Sequence, residues 1–374
     1  MDNLNFSLNT LEWAANNISM QLKDVVSKIS VSDRTQEKLL EGKFSVAQAE
    51  KFAEITKVPF GALFLDAPPI LYKPEVPDLR QKPNAEPLSE LFYEVLKDIQ
   101  NKQEWYTEFL QEHGAEELKF VGKFKDANFQ EYRLVADDIR STLNIAKIKR
   151  NSTNRDNYLK LLIERCEDAG ILIFKNGVVK NASKKTLDVN EFRGFVLIDK
   201  YAPVIFLNGR DAPSALVFTL AHELAHIWLG ISGVDDLDIY GNDPTEVLCN
   251  KIAAEVLVPE KEFLKYWNYF NEDLSEIAQH FYVSKLMIYR VALTHGKISK
   301  ELYQELHNFE FEKFKKQKEA DTGGGNFINM VPGRNSPLLT KTIVNQALSG
   351  NILLRDAGKL LNVSPQNILK LGGF

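Results

Sequence analysis

The chain has 374 residues, more than one hydrophobic core usually serves, so several domains are expected. Apolar residues make up 44% and charged residues 26%, which excludes a wholly disordered, collagen-like or disulfide-stapled chain. With 46 Lys and Arg against 51 Asp and Glu, the formal charge is −5; no global basic field draws the protein onto nucleic acid, and any DNA contact has to be local.

In chain order, the first residues (MDNLNFSLNTLEWAANN) lack the positive start and apolar core of a secretory signal. Nothing downstream approaches the roughly 18 apolar residues of a membrane span. Cys166 and Cys249 are the only cysteines and neither has a CxxC partner. A reduced, cytoplasmic chain with no membrane partner is expected. Residues 1–69 read as short helices between polar turns, a helix-turn-helix bundle that stops at Ala67-Pro68-Pro69. Prolines and mixed charges make 70–87 an extended linker. Residues 88–168 show apolar residues at three- and four-residue spacing, a helical connector.

The texture changes from residue 169. Residues 171–174, 194–198 and 203–207 are short β-branched or aromatic runs bounded by turn residues, a small sheet. A helix over 214–229 follows, with Asp211 or Ser214 as its cap and Gly230 at its end. Residues 169–320 are expected to form one domain, 321–334 with Gly323-Gly324-Gly325 a linker, and 335–374 a small helical domain. No Lys-Ser/Thr follows those glycines to make a phosphate loop. The fold class expected is α+β and mostly helical.

The chemistry sits in His222-Glu223-Leu224-Ala225-His226. Four-residue spacing stacks both imidazoles on one helix face, about 6 Å apart, where their nitrogens can share one Zn²⁺. Glu223, one residue along, falls beside the remaining coordination position as a general base. A third ligand is needed, and the next helix offers Glu246, with Asn250 one turn later to hydrogen-bond a ligand. Glu255 is the rival, but its nine-residue offset turns it to roughly the opposite side of the helix. Cys249 is disfavoured because an added thiolate tends to close the position that hydrolysis needs. This is peptide-hydrolysis chemistry, and it makes the domain expected over 169–320 zincin-like, a small sheet followed by the His-Glu-x-x-His helix.

Residues 219–230 (TLAHELAHIWLG) and 246–259 (EVLCNKIAAEVLVP) resemble the ImmA/IrrE family of metallopeptidases. Residues 190–209 (NEFRGFVLIDKYAPVIFLNG) and 103–124 (QEWYTEFLQEHGAEELKFVGKF) look like the larger members, with an attached Xre-type helix-turn-helix domain. The resemblance implies His222, His226 and Glu246 as zinc ligands and Glu223 as catalytic base. It also implies a helix-turn-helix repressor or antitoxin as protein substrate, in stress response, mobile-element control or phage defence.

One pattern is written three times: Leu22, Val25-Val26, Ile29, Val31-Ser32; Leu274, Ile277-Ala278, Phe281, Val283-Ser284; Leu354, Ala357-Gly358, Leu361, Val363-Ser364. Each copy predicts a helix hairpin whose serine caps the second helix. In the first copy Asp33 and Glu37 oppose phosphate, and Gln36 stands where the others have Ile288 and Ile368, so DNA binding by this copy competes with a docking role. The basic stretch Lys147, Lys149, Arg150, with Arg155 and Lys160, reads first as a solvated face. Tyr240, His280 and Tyr282 are candidate oxyanion donors, none preferred. An edge strand of the Val196 to Leu207 sheet could align an extended substrate by main-chain pairing. The leading expectation is a zinc endopeptidase for one protein partner; the alternative is a DNA-binding regulator or antitoxin whose peptidase-like domain senses or docks.

Overall fold

The computed structural model describes residues 4–16, 18, 20–56, 58–68, 88–235, 243–317 and 327–373. Packing divides the chain into two units, Met1–Glu75 with Pro87–Lys97 and Val76–Glu86 with Asp98–Phe374.

In the first unit, β1 (Leu4–Asn5), α1 (Leu8–Asn16), α2 (Leu22–Ile29), α3 (Asp33–Leu40), β2 (Lys43–Phe44) and α4 (Val46–Thr56) precede a 3₁₀ turn, Phe60–Phe64. Leu11, Val25, Val26, Leu39, Phe44 and Phe52 close one core, and β1 pairs antiparallel with β2. α2 and α3 form the first hairpin. Gln36 is spent there, its Nε2 donating to Ser30 O at 2.7 Å, while Ser32 makes no side-chain cap bond.

α5 (Glu90–Glu112) begins in the first unit and ends in the second. The sequence pattern extends helix through 168, but 113–131 form turns, with Gly114 at φ 71° and Gly122 at φ 66°. Their purpose is visible in the bonds from Gly122 N to Ile227 O and Phe124 N to Trp228 O, both 2.9 Å. α6 (Tyr132–Thr142), α7 (Ile145–Asn151) and α8 (Arg155–Asp168) lead to the sheet strands β3 (Leu172–Asn176), β4 (Gly194–Leu197) and β5 (Val204–Asn208). Next come α9 (Pro213–Leu229), β6 (Gly233–Asp235) and α10 (Pro244–Leu257). α11 (Glu260–Tyr269), α12 (Leu274–His280), α13 (Lys285–Thr294) and α14 (Lys300–Gln317) follow, then α15 (Phe327–Arg334), α16 (Pro337–Leu348), α17 (Leu354–Leu361) and α18 (Pro365–Leu371).

The sheet runs β3-β5-β4-β6, with β3 parallel to β5 and β4 antiparallel to both of its neighbours. Among the described strands β4 and β5 are both interior, because β6 comes back from α9 and pairs 233–235 with 194–196, so the edges that this sheet offers are β3 and β6. α9 packs on β4 and β5 and is enclosed by α6, α8 and α10. Thirteen of its 17 residues are buried, as its nearly continuous apolar sequence requires of a core helix. Neither Asp211 nor Ser214 caps it. Ala212 holds that position and Pro213 presets the first turn, while Asp211 accepts from Ala212 N and Arg193. Gly230, left-handed at φ 73°, ends it.

The second and third copies of the repeat are the hairpins α12–α13 and α17–α18. Ser284 caps α13 by accepting from Met287 N, whereas Ser364 makes no such bond. Gly358 is needed for the crossing in the third copy, since a Cβ there would lie 2.7 Å from Val363 O. Part of the basic stretch is consumed in packing: Lys149 pairs with Glu262 at 3.1 Å and lies 3.8 Å from the Phe281 ring centroid, and Arg155 donates to Val283 O. Among the described residues, no helix is long and apolar enough to cross a membrane.

Candidate metal centre

A core helix that carries two histidines and a glutamate has to satisfy them internally, since all three are shut off from water. His222 and His226, one turn apart on α9, have ring centroids 4.9 Å apart, and their Nε2 atoms approach to 3.1 Å. Glu246 arrives from the first turn of α10, whose start is fixed by Asp243 accepting from Thr245 N and Glu246 N. Its Oε2 lies 3.0 Å from His222 Nε2 and its Oε1 3.3 Å from His226 Nε2. One ligand atom from each of the three residues lies within 4.8 Å of the others.

The donor chemistry fits a divalent cation. His222 Nδ1 faces Asn250 Oδ1 at 3.1 Å. A carbonyl oxygen can only accept, so Nδ1 carries the proton and the neutral ring turns a bare Nε2 lone pair toward Glu246. Two imidazole lone pairs and a carboxylate converging in a dry interior repel one another unless a positive charge sits among them. Burial opposes ionisation of Glu246, yet the two imidazoles facing it hold its carboxyl well below the usual range whenever they carry protons on Nε2, and a metal ion bound to the bare nitrogens supplies the same positive charge in their place. The triad can hold a metal ion, and Asn250 fixes the orientation of one ligand.

Glu223 is fully buried on α9 beside His222 and lies against the backbone at the head of β4. The other candidates lie elsewhere. Glu255 accepts from Glu260 N at 3.3 Å and caps α11, and Cys249 is packed in the apolar core. His280 lies with its ring centroid 3.7 Å from that of Tyr266, and burial pushes its pKa down to about 4. Tyr282 donates to Ser152 O at 2.7 Å and stacks on Tyr158. Tyr240 falls outside the described residues. Gly194 was missed; its only signal in the sequence is a glycine heading a strand of bulky residues.

Residues 166–291 match the Peptidase_M78 family model, described as an IrrE N-terminal-like domain. Residues 335–373 match DUF8813, a domain of unknown function. No curated protein and no solved structure matches the chain. The matched stretch 166–291, similar to the metallopeptidases of the ImmA/IrrE family, contains all three members of the triad together with Glu223 and Asn250.

Proposed function

We propose that the protein is a cytoplasmic, zinc-dependent endopeptidase that cleaves a specific helix-turn-helix repressor or antitoxin, in stress response, mobile-element control or phage defence. The observation that carries the reading is the convergence of His222 and His226 on α9 with Glu246 on α10, with Glu223 following His222 on the same buried helix as the histidines. Two imidazoles and one carboxylate are a donor set suited to zinc with one position left open. The peptidase family match supports the reaction class, and the resemblance to ImmA/IrrE peptidases supports the substrate class.

When bound, zinc would supply Lewis acidity, polarising a scissile carbonyl and acidifying water. Glu223 accepts the proton of the attacking water and returns it to the amine of the leaving chain. Asn250 keeps His222 in the tautomer that offers Nε2. The dry surroundings of α9 strengthen each of these interactions. The N-terminal unit serves in this reading as an Xre-like docking domain, its α3 presenting both Arg34 and Lys38 and the opposing Asp33 and Glu37 to solvent.

The test is incubation of the zinc-loaded protein with purified helix-turn-helix proteins encoded by neighbouring genes. Site-specific cleavage that is lost on chelation is the expected result. Intact partners combined with a tight operator complex would replace this reading with that of a DNA-binding regulator.

A further inference from the structure

Thr219 and Glu223 stand one turn apart on the face of α9 that packs against β4. Thr219 Oγ1 donates back to Ala215 O at 3.1 Å. Across from them is Gly194, the first residue of β4. A Cβ built there would meet Glu223 Oε1 at 2.7 Å, Thr219 Cγ2 at 2.9 Å and Phe206 O at 3.0 Å. Gly194 is not among the glycines with positive φ, so its backbone conformation is open to any residue, and only the close approach demands a missing side chain. A glycine weakens a strand, and the rest of β4 is Phe195, Val196 and Leu197. The strand cannot retreat, because Gly194 is paired with Leu207 on one side and Asp235 on the other.

We propose that Gly194 is the positioning residue for Glu223, its bare backbone forming the wall against which the buried carboxylate is held beside the histidine pair. The proposal rests on the peptidase reading. A glutamate side chain has three torsions to wander through, and a general base works only within hydrogen-bond reach of its proton. The wall removes that freedom from one side. A methyl group at 194 presses first on the carboxylate, and His222, His226 and Glu246 are not among the three atoms nearest to it, so the metal ligands are expected to keep their places.

The probe is acetohydroxamic acid, which chelates a metal and donates a hydrogen bond to a neighbouring carboxylate, titrated calorimetrically into zinc-loaded protein. Gly194→Ala is expected to bind as much zinc per chain as the wild type, yet to bind the hydroxamate about tenfold more weakly, the same loss as is expected of Glu223→Ala. In a Glu223→Ala background, Gly194→Ala should change hydroxamate affinity less than about twofold, because the residue through which it acts is gone. Metal-free protein gives a second readout: Gly194→Ala should lower the thermal midpoint more when Glu223 is present than when it is Ala. Unchanged hydroxamate binding in Gly194→Ala, equal effects in both backgrounds, or loss of zinc would overturn the proposal. Should Gly194→Ala fail to fold, the double variant with Glu223→Ala decides: recovered folding supports the contact, and continued failure overturns it. A wild type that takes up no zinc sinks the peptidase reading itself, before any variant is compared.

Discussion

Two imidazoles one helical turn apart and a carboxylate from the next helix are held in place by short-range geometry, which is why these residues could be read before any coordinates. The i,i+4 spacing of His222 and His226 and of Glu246 and Asn250 fixes faces, and the nine-residue offset turned Glu255 away, where it caps α11. Gly194 was not legible, because its role depends on how closely β4 crosses α9, a tertiary distance that no local spacing encodes. The same holds for Tyr282, whose partner Ser152 is 130 positions earlier. Glu223→Gln keeps the shape and cannot take a proton, so it should retain stoichiometric zinc while cleavage falls roughly 10²- to 10⁴-fold, as measured by cleavage assay and metal analysis. Turnover at the wild-type rate would remove Glu223 from its role. Asn250→Ala deletes the acceptor facing His222 Nδ1 and should weaken zinc binding about 10- to 100-fold in a competitive chelator titration. Wild-type affinity would show that the ring needs no such anchor.

Among the elements, strands and the central helix followed from local composition, whereas the segment 113–131 did not. Its turns exist to bond the end of α9, and Phe120 stacks on Trp228 at 4.5 Å, contacts set by partners about a hundred residues away. β6 was equally silent: three residues paired to β4 carry no periodic signal, yet they turn β4 into an interior strand. At the seam between α8, β3 and α16, Glu167 accepts from Ile173 N at 2.7 Å, Leu338 N at 2.7 Å and Ser336 Oγ at 2.9 Å. Burial raises its pKa to about 7 from 4.5 despite these opposing hydrogen bonds. The folded chain thus holds this proton more tightly than the unfolded chain does. The resulting stabilisation is full below about pH 4.5 and disappears as pH rises through about 7. Thermal unfolding between pH 5 and 8, values chosen to bracket the shifted pKa of about 7, should show the midpoint falling with pH in the wild type and less so in Glu167→Gln. Identical slopes would contradict this assignment.

Across the whole molecule, the threefold repeat was visible because hairpin packing needs small and apolar residues at fixed offsets, and all three copies fold as helix pairs. What each copy does was not visible. In the third, Asn362 is held by Asn181, whose Nδ2 donates to Asn362 O at 2.6 Å, and its own Nδ2 donates to Asp98 at 3.0 Å. That hairpin is spent on packing within the second unit. Truncation of residues 335–374 would strip Glu167 of Ser336 and Leu338, and should lower the thermal midpoint by roughly 4 °C or more while leaving zinc stoichiometry intact. An unchanged midpoint would mean that these contacts contribute nothing to stability. The metal centre itself is tested most directly by X-ray absorption at the zinc edge of the loaded protein. Two imidazole nitrogens and a carboxylate oxygen at about 2.0–2.2 Å, with the imidazole signal halved in His226→Ala, is the expected result. A protein that binds no zinc, or a spectrum dominated by sulfur, would contradict it.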